Sequence, residues 1–105
     1  MDLGSETDKL MARDVDDLLA ECVEELPAWV LERLGDCVIR VEPMPRSWPV
    51  DATPHRITIY RARLLAHATT RAELRRLTRA ELLRLVVERL ELEAAQAVDL
   101  AEACL

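Results

Sequence analysis

Residues 70–103 read TRAELRRLTRAELLRLVVERLELEAAQAVDLAEA, and this stretch decides the fold. It contains neither Gly nor Pro over its whole length. Thr70 with Glu73 and Thr78 with Glu81 each have the spacing of a capping box, in which a hydroxyl and a carboxylate satisfy the free N–H groups of a helix start. At least one of the two boxes therefore begins a helix.

The apolar residues after Thr78 predict that this helix continues to about Ala103 as one long terminal helix. They recur at steps of three or four residues and form one stripe, while charged residues fall mostly on another face. The helix should therefore pack on one side and face solvent on the other. The predicted stripe consists of Leu82, Val86, Leu90, Ala94, Ala97 and Ala101.

Two shorter helices are predicted before it. Apolar residues from Val15 to Leu26 repeat with helical spacing, and Asp14 lies in the first turn, where the helix dipole favours negative charge. Pro27 interrupts this pattern and is tolerated in the first turn of a second helix through Ala28–Leu34. Gly35 supplies a left-handed end to that helix.

Residues 37–42 and 56–60 are β-branched and alternate, which predicts two strands. Four prolines in the intervening stretch exclude a helix or a central strand there. The predicted fold class is α+β: two N-terminal helices, a small sheet and the long terminal helix packed across it. Residues 1–12 have no periodicity and read as a disordered leader, so residues 13–105 form the single domain.

Charge is unevenly distributed along this 105-residue chain of net charge −6. Residues 1–35 hold ten acids and three bases, whereas residues 71–89 hold six Arg and three Glu. Arginines interleaved with glutamates, without aromatic residues to stack on bases, indicate an ion-paired face and argue against a nucleic-acid partner. The alternative is that the acidic and arginine-bearing helices meet the surface of another copy.

Three cysteines without a Cys-x-x-Cys pair read as reduced structural thiols, which fits a cytoplasmic protein. No apolar run approaches the roughly 18 residues of a membrane span, so we expect a soluble protein that does not bind membranes. With only two glycines, the chain also lacks a phosphate-binding loop, and we expect no cofactor.

Three segments together resemble the minimal zincin-like metallopeptidases, a bacterial family of small single-domain proteins. The first contains Glu25-Leu26-Pro27 and the strand Val38–Glu42, the second is Pro54–Arg61 with its Tyr-Arg ending, and the third is Arg71–Leu77. The similarity extends from about residue 14 to 95. It implies a zincin-like minimal domain.

In that family, the third segment leads into a His-Glu-x-x-His helix whose histidines bind zinc and whose glutamate activates a water molecule. The ungapped match places Arg84 and Glu88 at the histidines and Leu85 at the glutamate. Arg cannot bind zinc at neutral pH and Leu cannot accept a proton, so the motif is degenerate. A further acidic residue of the family would fall near Glu93 or Ala94.

The loop after Val41 also departs from the family, because Arg46-Ser47-Trp48-Pro49 stands where relatives carry a Leu-Tyr-x-Gly segment. Trp48 and Arg46 are candidate interaction residues, since Trp and Arg are enriched in interface hot spots; the alternative for Trp48 is a place in the core. Glu88 with Glu91 and either His67 or His55 would be the remnant of a metal site. The simpler interpretation is an Arg84–Glu88 ion pair on one helix face.

These observations predict a catalytically degenerate zincin-like protein that serves as a non-enzymatic binding or regulatory module. Its partner would be another protein or a second copy of the chain. The alternative is a zinc-dependent metallopeptidase with non-standard ligands, for which zinc would be the cofactor. The sequence leans against an enzyme, because no residue in the motif can carry the family's chemistry.

Overall fold

The computed structural model describes residues 10–43 and 56–104, which form five helices and two strands. In chain order these are α1 (Ala12–Glu24), α2 (Ala28–Leu34), β1 (Val38–Glu42), β2 (Arg56–Tyr60), α3 (Arg61–His67), α4 (Arg71–Leu90) and α5 (Ala94–Ala103). The predicted α+β class, the two N-terminal helices and both strands are confirmed. Residues 1–9 of the predicted leader lie outside the described residues.

Helix α4 begins at the first of the two capping boxes. The Thr70 hydroxyl accepts a hydrogen bond from the Glu73 backbone N–H at 3.1 Å, so Thr70 is the N-cap. Thr78 lies inside α4, where its side chain is fully buried and its hydroxyl finds no partner among the described residues. The second box is therefore a core position, although its spacing resembles a helix start.

The prediction of one unbroken terminal helix is wrong, because α4 ends at Leu90. Glu91 adopts the left-handed conformation with φ of 52°, and the Leu92 N–H then bonds to the Val87 carbonyl at 3.1 Å, which closes the helix end. Helix α5 restarts three residues later, where the Glu93 N–H donates to the Gln96 side chain at 3.2 Å. Neither Gly nor Pro marks this break.

The break also changes the predicted apolar stripe. Leu82 and Val86 are fully buried as predicted, but Leu90 is only half-buried. Beyond the break, Ala94 and Ala101 are exposed, because α5 follows its own direction after Glu91. Helix α5 instead buries Leu100.

The two strands are adjacent and parallel, with Val38 opposite Arg56 and Glu42 opposite Tyr60. Ile57 and Ile59 of β2 are buried and face the helices, as the alternation predicts. Helix α4 packs against β2, and α1 packs against α4. The result is a layer of helices over one face of a small sheet.

One core joins these elements, and it is built from aliphatic side chains and two thiols. Each of the five helices and strand β2 contributes to it. The buried apolar residues of the described ranges are Val15, Leu18, Leu19, Cys22, Leu26, Val30, Ile57, Ile59, Leu64, Ala68, Leu74, Leu82, Val86, Leu100 and Cys104.

The acidic face of α1 and the arginines of α4 meet each other within the chain. Arg71 contacts Asp14 at 2.7 Å, and Arg75 pairs with both Glu21 and Glu25. The negative charge of Glu25 is the main cause that raises the pKa of Arg75 above its ordinary value. The arginines of α4 therefore form an ion-paired face, as predicted, and the acids that they contact here belong to the N-terminal segment of the same chain.

No helix in the described ranges is both long enough and apolar enough to cross a membrane.

Candidate functional site: the cleft between helix α4 and strand β2

A cleft of about 350 Å³ opens between the C-terminal half of α4 and the start of β2. Its wall carries two cations, two carboxylates, two apolar side chains and one hydroxyl. These residues are Arg56, Ile57 and Thr58 from β2, Leu85, Glu88 and Arg89 from α4, and Glu91 from the turn after α4. We call this set the α4–β2 cleft.

Two of the three residues that the sequence resemblance matched to the zincin-like motif line the α4–β2 cleft. Leu85, matched to the family's glutamate, is half-buried, and Glu88, matched to its second histidine, is exposed. Residues three apart on a helix are neighbours on its surface, and the structure brings the face that carries Leu85 and Glu88 against β2. Arg84, at the first histidine, is not part of the cleft wall.

Arg84 lies on the solvent side of this wall, between two glutamates of its own helix. One guanidinium nitrogen contacts Glu88 at 3.2 Å, and another contacts Glu81. The hydrogen bond to Glu81 is the main cause that raises the pKa of Arg84 above its ordinary value. The predicted Arg84–Glu88 pair is confirmed, and Glu81 makes it a three-residue cluster.

Arg89 joins the two sides of the cleft. Its Nη2 atom donates to the backbone carbonyl of Arg56 at 2.6 Å, which ties the last turn of α4 to the first residue of β2. Two residues on, Glu91 adopts its left-handed conformation and turns the chain at the edge of the cleft. One end of the cleft is thus held by a charge-assisted hydrogen bond.

A zinc ion does not fit the donor set of this cleft. Zinc in a peptidase takes three ligands from His, Cys or carboxylate groups. The cleft wall supplies only two such groups, the carboxylates of Glu88 and Glu91, and that of Glu88 is paired with Arg84. Among the described residues, no three His, Cys, Asp or Glu side chains are arranged to hold a metal ion.

The remaining candidates from the sequence do not join this cleft. His67 is the last residue of α3 and Glu93 is the N-cap of α5, and neither lines the cleft. Ala94, the other residue matched to the family's downstream acid, is exposed at the start of α5. His55, Arg46 and Trp48 lie outside the described residues.

Two of the three cysteine thiols lie in the core and do not have the exposure of a reactive site. Cys22 and Cys104 are buried, and burial is the main cause that raises the pKa of each thiol. The Cys104 thiol points at the Glu25 carbonyl at 4.0 Å. Cys37, before β1, is half-buried. A buried thiol with a raised pKa is a poor nucleophile, which supports the structural interpretation of Cys22 and Cys104.

The sequence identified Leu85, Glu88 and Glu91 as candidates but missed four other residues of the cleft, which are Arg56, Ile57, Thr58 and Arg89. One signal was available, because Arg89 follows Leu85 by four residues and therefore shares its helix face. Alternation along β2 also puts Arg56 and Thr58 on one side of the sheet. Glu91 was a candidate only as a partner of Glu88 in a remnant metal site; the structure places both carboxylates on the cleft wall, with Glu91 in the turn after α4.

Comparisons of the chain with protein-family models, with curated proteins and with solved structures found no match.

Proposed function

We propose that this chain is a catalytically degenerate zincin-like protein and acts as a non-enzymatic binding or regulatory module. One observation carries the proposal. The residues matched to the family's glutamate and second histidine, Leu85 and Glu88, lie together in a cleft beside β2. The position therefore keeps its access to a ligand, while the side chains that would do chemistry are replaced.

The replacements favour binding over catalysis for physical reasons. Leu85 offers an apolar contact where a general base would be needed, and Arg84 neutralises the one carboxylate at a former ligand position. A cleft with apolar side chains and a few fixed charges is typical of a recognition site. We infer that another protein is the ligand, since cations and carboxylates on one wall suit a segment of mixed charge.

The rival function, a zinc peptidase with non-standard ligands, is tested by metal content. The protein would be purified without chelator and without a metal-affinity tag, and its zinc measured by mass spectrometry. The proposal predicts far less than one zinc per chain. A value near one zinc per chain would overturn the degenerate interpretation.

The binding role itself is tested with two matched charge reversals. Glu88→Arg changes the wall of the cleft, whereas Glu102→Arg makes the same charge change on the exposed face of α5. Protein captured from cell extract by the original chain should be lost with Glu88→Arg and kept with Glu102→Arg. Equal capture by both variants would mean that the α4–β2 cleft does not bind the partner.

A further inference from the structure

Strand β1 has one edge that no other strand covers in the described ranges 10–43 and 56–104. Its exposure is unusual for a parallel strand, since such strands are normally buried within a larger sheet. Val38 is 53 % exposed, and the side chain of Arg40 is 47 % exposed. Two strands alone make a marginal sheet, so an added strand would stabilise it.

The backbone of β1 shows which of its groups are free for that strand. The Ala62 N–H donates to the Pro43 carbonyl at 3.1 Å, which continues the β1–β2 ladder by one step. Alternate residues of a strand turn their backbone groups to the same side. The groups of Ile39 and Val41 therefore point to β2, and those of Val38, Arg40 and Glu42 point away from it.

We propose that a second copy of this chain pairs with this edge, β1 against β1 in antiparallel orientation, with the two-fold axis at Val41. Arg40 then lies opposite Glu42 of the second copy, and Glu42 lies opposite its Arg40. All four residues present outward-pointing backbone groups, so each of these two positions exchanges a pair of backbone hydrogen bonds. The product is one four-stranded sheet, β2-β1-β1-β2.

Charge selects this register. Arg40 and Glu42 share a face of β1 and contact each other at 3.7 Å. Centring the pair on Val41 gives two cross-strand ion pairs, whereas centring it on Arg40 sets the two arginines directly against each other, which is unfavourable. Centring it on Ile39 leaves Arg40 opposite Val38 and makes no ion pair.

The opposite face of the same arrangement is apolar. Ile39 and Val41 are half-buried and extend the core layer of Ile57 and Ile59 toward the free edge. With the axis at Val41, the two Val41 side chains meet in a non-hydrogen-bonded pair, where side chains approach most closely. The second copy therefore adds ion pairs on one face of β1 and an apolar contact on the other. This inference does not depend on the α4–β2 cleft.

Sedimentation equilibrium with charge reversals tests the proposal. The original chain should dimerise, and Arg40→Glu alone or Glu42→Arg alone should raise the dissociation constant at least about tenfold, because each turns both cross-strand pairs into like charges. An equimolar mixture of the two variants should dimerise again, as should the double variant. Arg76→Glu, an equal charge change on exposed α4 surface, should leave the dimer intact.

Hydrogen exchange of the unaltered chain gives a second measurement that needs no variant. The amides of Arg40 and Glu42 should become protected as protein concentration rises into the dimeric range. A chain that stays monomeric at millimolar concentration would overturn the proposal. So would a dimer that both single reversals leave unchanged, or one whose formation does not alter exchange at these two amides.

Discussion

Arg89 on helix α4 donates a hydrogen bond from Nη2 to the backbone carbonyl of Arg56 on strand β2, at 2.6 Å. The contact joins the last turn of helix α4 to strand β2, which forms the other wall of the cleft. It uses the backbone of Arg56 and leaves that residue's guanidinium free of this interaction. Substitution of Arg89 should therefore remove the hydrogen bond, whereas substitution of Arg56 should leave it in place.

Arg89→Met should lower the free energy of unfolding by about 1 kcal/mol, because a charge-assisted bond at an exposed site is partly replaced by water. Arg56→Met keeps the carbonyl acceptor and should cost much less. Urea unfolding of both variants measures the difference. A cost for Arg56→Met equal to that for Arg89→Met would show that the bond does not hold the cleft.

Substitutions on the solvent-exposed face of α4 should change stability much less than substitutions on its buried face. Arg84→Ala and Glu88→Gln should each change stability by less than about 1 kcal/mol, since exposed helical pairs contribute little. Leu82→Ala should cost about 2–5 kcal/mol, because it empties a fully buried site. Leu90→Ala should cost less than Leu82→Ala, since Leu90 is only half-buried.

Thermal denaturation ranks these four variants. If Glu88→Gln were the most destabilising, the ion-pair interpretation would be wrong and the carboxylate would have a role in a site. If Leu90→Ala matched Leu82→Ala, α4 and α5 would form the continuous helix that the sequence suggested.

Glu25 should be the most important acid of the α1–α4 contact, because it reaches both Arg75 and Arg79. Glu25→Gln should lower Tm more than Glu24→Gln, which alters an exposed neighbouring residue of the same type. The difference should shrink at high salt, since these groups are partly exposed and are screened. A difference that salt does not change would assign the effect to packing.

The buried thiols predict a loss of stability at alkaline pH. Burial raises the pKa of Cys22 and Cys104 in the folded chain. Below the ordinary thiol pKa of about 8.5, the thiols are protonated in both the folded and the unfolded chain, so they do not make stability depend on pH. Above it, the unfolded chain loses thiol protons that the folded chain keeps, so stability falls as pH rises.

The decline should be shallower in a Cys22→Ala/Cys104→Ala variant than in the original chain, as measured by urea unfolding between about pH 8 and 10. Thiol labelling of the folded chain should modify Cys37 first, because Cys37 is only half-buried. Equal slopes in the two proteins, or rapid labelling of Cys22, would contradict the burial of these thiols.

Local signals predicted most of the fold. Signals that act over a few residues were sufficient for two elements. Helix α2 begins after Pro27 and ends before Gly35, and the alternating residues Arg56–Tyr60 form β2, as predicted. The helix break at Glu91 was missed because the left-handed conformation costs a non-glycine residue only about 1 kcal/mol, so no particular residue type is required there. The Glu93–Gln96 pair, which has capping spacing, was the one available signal.

The candidate site was only partly predictable. The sequence resemblance singled out Leu85 and Glu88, which line the cleft, but the opposite wall depends on which strand lies against α4. Sequence also failed to distinguish the two Thr boxes, because Thr78 and Thr70 differ in burial and not in spacing. An ion-paired arginine face was predicted, but its pairs with the acids of α1 were not, because they depend on how α1 packs against α4.

The most direct test of the central claim restores the family's motif with Arg84→His, Leu85→Glu and Glu88→His together. The two histidines would lie one helical turn apart beside the cleft, with the glutamate between them, so the folded variant should bind zinc in calorimetry while the original chain does not. Peptidase activity is not expected, because the one carboxylate left on the cleft wall, Glu91, lies in the turn after α4 and belongs to no group of side chains arranged to hold a metal ion among the described residues. A folded triple variant that binds no more zinc than the original chain would contradict the account of α4 as a former zinc-binding helix.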